Sequence, residues 1–339
     1  MQLDEVLKKF GIENYSITPF GNGLINNTWI VENSQGEKEF ILQRINQNIF
    51  KSPGDIAFNI RLIADHLKRY VPDYLFTIPL QTKDGYDILK TADGYFRMFP
   101  FINSHTIDVA QKPEQAYEAA KQFGKFTKVL SALDASKLKI TIPRFHDLSL
   151  KYQQFEEALQ NGNKHRIQNS KDVINFIQQQ KNIVTEFEKI KLDPGFKLRI
   201  THHDTKISNV LFNNEGKGIC VIDLDTVMPG YFISDVGDMM RTYLSPVGEE
   251  DKNFSAIEIR KDFYEAIMNG YMDEMGDELT ATEKKYFLYA GKFMIYMQAL
   301  RFITDHLNDD TYYGAKYEGH NYVRAKNQVV LLQKLEEII

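Results

Sequence analysis

Apolar residues alternate with polar ones through much of the first hundred positions and recur every three to four residues after about residue 113. Alternation places successive side chains on opposite faces of a strand, and the longer period lays one apolar stripe along a helix. Ile17 to Val31, ITPFGNGLINNTWIV, predicts a strand, a glycine-containing turn and a second strand. Glu39 to Ile45, EFILQRI, predicts a third, with Leu42 and Arg44 on one side. Further strands are expected at Tyr74–Pro79, Asp87–Lys90 and Gly94–Phe99, separated by Asp84-Gly85 and Asp93-Gly94 turns. These segments make a five- or six-stranded antiparallel sheet. A helix interrupts it after Ser52-Pro53, with Ile56, Ile60, Ile63 and Leu67 as its apolar face.

From Pro113 the face Ala116, Ala120, Phe123, Thr127, Leu130 and Leu133 predicts a core helix. Residues 161–192, rich in Gln and Lys, predict a solvated helix. Helices are expected at 254–270, at 282–307 behind a Thr-Ala-Thr-Glu capping box, and at 320–339. The reading is α+β: a bilobal fold with a small antiparallel-sheet lobe over residues 1–102 and a mainly helical lobe over 103–339, joined by Phe99–Asn103. At 339 residues the chain exceeds the usual size of one hydrophobic core, which agrees with two lobes.

A content of 43% apolar and 26% charged residues is that of a globular protein. The formal charge of −5 offers no basic surface of the kind a polynucleotide needs. The one cysteine, Cys220, lies in the apolar run GICVIDL, where a buried, inert thiol in a reducing cytoplasm is expected. No apolar run approaches the ~18 residues of a membrane span. The expected partners are small molecules, with neither nucleic acid nor membrane; the oligomeric state is open.

The stretch with the most chemistry is THHDTKISNVLFNNEGKGICVIDLDTVMPG, Thr201 to Gly230. It sets His202, Asp204 and Asn209 in an H-x-D-x-x-x-x-N spacing, followed by Asp223 and Asp225. In phosphoryl transfer one carboxylate orients and deprotonates the attacking hydroxyl. An amide oxygen and a second carboxylate hold the magnesium that bridges nucleotide phosphates. Asp204, Asn209 and Asp223 fit those roles in order. Asn209–Phe212 and Ile219–Leu224 predict a hairpin about Asn213–Lys217, which would bring Asn209 near Asp223. Strand alternation would then turn Asp223 and Asp225 the same way, with Asp225 nearer the acceptor.

Other segments supply candidate contacts. Gly21 and Gly23 would let a hairpin approach phosphate oxygens, with Asn26, Asn27 and Thr28 as short hydrogen-bonding groups. Arg44 is the candidate cation for the α- and β-phosphates; the following helix holds no glutamate, so its acidic partner is missing or replaced by Asp55. Phe99, Phe101 and Ile102 could sandwich an adenine ring. Asp235 could brace the catalytic loop by accepting backbone amides, and Asp238 with Arg241 forms an i, i+3 pair. His146-Asp147 reads as a structural pair. A loop from residue 301 to 324, carrying Arg301, Asp305, His306, Tyr312, Tyr313, Tyr317 and His320, suits a polar ring-shaped ligand or lobe packing.

HHDTKISNVLF, CVIDLDTVMPG, SDVGDMMR, GLINNTW and RFITDHLNDDTYY resemble the aminoglycoside phosphotransferase family of the protein kinase-like superfamily, from about residue 16 to 330. The resemblance is strongest to members that phosphorylate the anomeric oxygen of an N-acetylhexosamine. It implies a bilobal kinase-like fold, ATP with Mg2+, and transfer of the γ-phosphoryl group to a small-molecule hydroxyl. Carried over, Asp204 is the base, Asn209 and Asp223 the metal ligands, Gly21 to Thr28 the phosphate loop, and Arg301 and Tyr312 sugar-facing. Arg44 stands where such proteins generally have lysine, and the helix after Ser52 lacks the glutamate that would pair with it. Two alternatives stay open: another hydroxylated acceptor such as an aminoglycoside or choline, or a catalytically silent nucleotide-binding regulator.

Overall fold

The computed structural model describes residues 3–21 and 25–337. Its chain divides into two compact units. The first takes residues up to Thr106 with Val129–Pro143 and Val210–Pro229; the second takes Ile107–Lys128, Arg144–Asn209 and residues from Gly230 onward. The stretch 201–230 is therefore divided between them.

The first unit is built on a five-stranded antiparallel sheet in the order β1-β2-β3-β5-β4, with β1 Ser16–Pro19, β2 Asn27–Glu32, β3 Lys38–Ile45, β4 Leu89–Thr91 and β5 Gly94–Pro100. Alternation sends Val31, Leu42, Phe96 and Met98 to one face, where they pack on Val6 and Leu7 of helix α1 (Leu3–Lys9) and on Phe10. Tyr74–Pro79 does not form the expected strand. Pro79 has no N–H to give a ladder, and the next residue, Leu80, makes a single bond to the Met98 carbonyl at 2.7 Å.

Helix α2 (Pro53–Tyr70) starts with proline at its first turn and buries Ile56, Ile60, Ile63 and Leu67, the face read from the sequence. Between them Asn59, almost fully buried, accepts the Lys139 N–H at 2.7 Å and donates to the Val227 carbonyl at 3.1 Å. One amide thus ties α2 to two distant segments of its own unit. Strands β6 (Val210–Phe212) and β7 (Gly218–Val221) form the expected hairpin, in the register Val210↔Val221, about a turn whose Gly216 has φ 75°. Cys220 on β7 is buried, and burial pushes its thiol up to about 12.

The second unit is helical: α3 Pro113–Val129, α4 Leu148–Asn161, α5 Lys164–Asn169, α6 Lys171–Gln179, α7 Asn182–Leu192, α8 Phe232–Tyr243, α9 Lys261–Met275, α10 Phe287–Leu307 and α11 His320–Glu336. Helix α10 is largely apolar and is buried by α4, α8 and α11, with Lys292, Gln298 and Arg301 half-buried. Three expectations are corrected. Residues 164–192 form three short helices, of which α6 and α7 have apolar faces, Val173, Ile177, Ile183 and Phe187 among them, because the break at Gln180 lets each of the two turn its own stripe inward. The helix expected from 254 starts at Lys261 and runs to Met275. Arg301, Asp305 and His306 lie in α10, within the helix expected over 282–307, so the loop expected from 301 begins only after Leu307.

Close helix approach needs glycine at one crossing. A Cβ on Gly237 of α8 would strike the Ala290 carbonyl of α10 and lie 2.9 Å from Met294 Cβ. We expect Gly237→Ala to cost about 1–3 kcal/mol in urea unfolding; an unchanged midpoint would show that the crossing is adaptable. Among the described residues no helix is long and apolar enough to cross a membrane.

Candidate active site

In the second unit the short extended segment Arg199–Thr201 leads into the loop that carries Asp204. Its anchor is an ion pair from Arg199 to Glu283, whose side chain is fully buried. Glu283 also closes the capping box seen in the sequence: its carboxylate accepts the Thr280 N–H at 2.9 Å, and its own N–H donates to Thr280 Oγ1 at 3.0 Å.

The loop is held by α8. The His202 N–H donates to Asp235 Oδ2 at 2.9 Å and the His203 N–H to Asp235 Oδ1 at 2.7 Å. His203 has φ 65°, a left-handed conformation that turns two successive N–H groups onto one carboxylate. Burial pushes the Asp235 carboxyl up to about 7, with the two N–H donors pulling the other way. Asp238 Oδ2 accepts the Thr205 N–H at 2.8 Å, while Oδ1 takes Arg241 Nε at 3.0 Å, the i, i+3 pair expected. Gly230 is required where it stands, because a Cβ there would strike Thr201 Oγ1 and the His203 ring.

So fixed, the loop presents Asp204. Asn209 Nδ2 donates to the Asp204 carbonyl at 2.8 Å and to its Oδ2 at 3.2 Å, and Lys206 Nζ lies 3.1 Å from Oδ1. Both Asn209 bonds use the amide nitrogen, so the amide oxygen points away from them. The Asp204 charge raises the Lys206 ammonium, which stays cationic. Lys206 escaped the sequence reading as a functional residue. Its only signal was a cation two positions after the motif aspartate.

In the first unit β7 ends at Val221, so Asp223 lies just past the residue paired with Val210, itself bonded to Asn209. Asp223 takes φ 61° and opens a short 3₁₀ turn, Leu224–Thr226. Strand alternation therefore does not relate Asp223 to Asp225. Asp225 is buried, its Oδ1 ion-paired with Arg97 and its Oδ2 accepting Asn26 Nδ2 at 2.7 Å. Both oxygens are engaged, so Asp225 ties Asn26 to Arg97. Arg97, a lone charge inside the apolar strand YFRMF, also donates to Gln43 Oε1 at 3.0 Å.

Gly21 has φ 75°, and Gly23 lies outside the described residues. Asn26 Oδ1 accepts the Asn46 N–H at 3.0 Å, and Thr28 Oγ1 faces Gln43 Nε2 at 3.4 Å. Arg44 is exposed and donates to Asn27 Oδ1 at 2.8 and 3.2 Å; among the described residues no ion pair joins it to Asp55. Phe99 lies 5.1 Å from the Arg97 guanidinium, the Phe101 N–H is taken by the Glu39 carbonyl at 2.7 Å, and the Ile102 carbonyl accepts Ser104 Oγ at 3.0 Å.

The second unit gathers further groups beside the loop. His146 Nδ1 lies 3.2 Å from His203 Nδ1, and its ring stacks on Phe145 at 4.4 Å. Burial, with the nearby His203 and Arg301, holds His146 well below its ordinary value, and it is neutral. Asp147 caps α4 through the Leu150 N–H at 3.1 Å and pairs with Arg144, so the His-Asp dipeptide splits into two separate interactions. Arg301 sits 5.6 Å from the Phe145 ring and 5.4 Å from Tyr313. Asp305 accepts the N–H groups of Tyr312 and Tyr313 at 2.7 and 2.9 Å; Tyr312 is 76% exposed and meets Tyr313 edge-on.

The chain matches the model of the phosphotransferase enzyme family over residues 16–271. Its fold is shared with an aminoglycoside phosphotransferase from Alicyclobacillus acidocaldarius, at 12% identity and TM-score 0.64 over 98% of this chain and 94% of that one. A spectinomycin phosphotransferase crystallised with ADP and spectinomycin aligns at 15% identity and TM-score 0.62, over 99% and 98%. A choline kinase from Cryptosporidium parvum aligns at 13% and 0.60, over 99% and 95%. These likenesses establish the kinase-like α+β fold.

Proposed function

Because this chain belongs to the phosphotransferase enzyme family, we propose that it is an ATP- and magnesium-dependent kinase of a small-molecule hydroxyl. The proposed acceptor is the anomeric oxygen of an N-acetylhexosamine such as GlcNAc or GalNAc, and the proposed location is the cytoplasm. The observation that carries the reading is Asp204, held between Asn209 and Lys206 on a loop whose backbone is fixed by Asp235 and Asp238. Such a carboxylate is suited to positioning a hydroxyl and taking its proton.

In the proposed reaction the acceptor hydroxyl donates to Asp204. Its oxygen bonds the γ-phosphorus as the bond to the β–γ bridging oxygen breaks, the proton passes to Asp204, and ADP leaves. Lys206 offsets negative charge beside the base. The oxygens of Asn209 and Asp223 suit a hard cation, and bound Mg2+ would neutralise phosphate charge. Gly21 to Thr28 and Arg44 are assigned to the phosphates, and Phe99, Phe101 and Ile102 to the base. Asp225, Arg301 and Tyr312 are assigned to the sugar, Asp225 from a position fixed by Asn26 and Arg97. Residues 1–102 would form the nucleotide lobe and 103–339 the catalytic and substrate lobe.

The test is ATP consumption with GlcNAc, GalNAc, glucose, choline and an aminoglycoside, with phosphorus NMR of the product. We expect turnover with a hexosamine and an anomeric phosphate ester. Turnover confined to choline or the aminoglycoside would replace the acceptor; silence across the panel would favour a nucleotide-binding regulator.

A further inference from the structure

We propose that the acceptor carries an anionic substituent, a phosphate or sulfate ester or a carboxylate, received by Lys151, Arg301 and the Tyr313 hydroxyl beside the catalytic loop. The proposal rests on the kinase reading above and narrows its substrate class.

The starting point is a mismatch of charge. Five arginines of the second unit face carboxylates: Arg144 faces Asp147, Arg166 faces Asp310, Arg199 faces Glu283, Arg241 faces Asp238 and Glu249, and Arg324 faces Glu249. Arg301, half-buried on α10, has only the neutral Gln298 amide at 3.1 Å and two aromatic rings among the described residues. Lys151, half-buried in the first turn of α4, has no carboxylate within ion-pair distance among them either. The nearest in sequence, Asp147, is committed to Arg144 and to the α4 cap.

Lys151 stands six residues along the chain from Phe145, whose ring lies 5.6 Å from the Arg301 guanidinium. Burial, reinforced by the Arg301 charge, brings the Lys151 ammonium down to about 8. Like charges at a half-buried site raise the energy of the ligand-free protein, and an arriving oxyanion removes that cost with charge-assisted hydrogen bonds. A third donor is ready. The Tyr313 hydroxyl is buried without a hydrogen-bond partner, its ring lies 5.4 Å from the Arg301 guanidinium, and burial pushes its phenol up to about 12, so it keeps its proton. The group adjoins the chemistry: Phe145, under Arg301, stacks on His146, which meets His203, the residue before Asp204.

The experiment compares kcat/KM for GlcNAc, GlcNAc 6-phosphate, GlcNAc 6-sulfate, glucose and glucuronic acid, with calorimetric binding of each to the full chain. At least one charged sugar should exceed its neutral parent by about tenfold or more, and which one does so distinguishes ester from carboxylate. Lys151→Met should carry that ratio toward one, and Lys151→Arg should keep it. Neutral parents preferred throughout, equal losses for charged and neutral sugars in Lys151→Met, or a change confined to the KM for ATP would each overturn the subsite. No transfer to any sugar, with charged-sugar binding that Lys151→Met abolishes, would sink the kinase reading and keep the subsite.

Discussion

Asp204→Ala is expected to lower kcat by about 10²–10⁴ while ATP affinity stays close to wild type. The carboxylate is placed to accept one proton and to orient one hydroxyl, both of which matter most in the transition state, so its loss should appear in kcat and little in nucleotide binding. Removing it also frees the Asn209 amide nitrogen and the Lys206 ammonium of one partner each. Asp204→Asn separates the effects, since it keeps an oxygen at nearly the same place without a basic lone pair of comparable strength. Steady-state rates and nucleotide titration on both variants provide the check. Undiminished turnover in either would remove Asp204 from the proposed mechanism.

Asp235→Ala should have the largest effect on folding. It strips the acceptor from the N–H groups of His202 and His203, both in buried residues, and each unsatisfied group costs about 1–3 kcal/mol. Activity should fall with stability, because the same two bonds set the direction of the loop. The pH dependence follows from the Asp235 carboxyl, raised by burial to about 7 in the folded chain against about 3.9 when unfolded. Between those values the folded state binds the extra proton. The contribution of this group to unfolding free energy therefore declines as pH rises from about 4 to 7 and is level above. Urea unfolding of wild type and Asp235→Asn at pH 5 and pH 8 tests this. The wild type should lose more stability across that interval than the variant; equal losses would mean that Asp235 is ionised throughout.

Much of the local structure was legible because it depends on near neighbours. The α2 face of Ile56, Ile60, Ile63 and Leu67, the Thr280–Glu283 capping box and the turn at Gly216 each rest on residues within a few turns of one another. Asp235 was also foreseen as a brace, from an acidic residue at a helix start soon after the motif. Strand alternation does not reach from Asp223 to Asp225. Apolar residues continue to Leu224, but the strand does not, because the backbone becomes left-handed at Asp223. The loop expected from 301 to 324 begins only after Leu307, since charged residues within a buried helix resemble loop composition when their partners are unknown.

The sequence by itself determined the sheet-then-helix order, the faces that go inside and the spacing of Asp204, Asn209 and Asp223, because all three depend on the periodicity and order of the chain. Only the tertiary structure decided that Asp225 joins Arg97 to Asn26, the latter 199 residues away, that His203 is left-handed over Asp235, and that Arg301 and Lys151 face no carboxylate among the described residues. Those outcomes depend on which distant groups share a buried volume, and in such a volume a charge is either matched by a partner or left to meet a ligand.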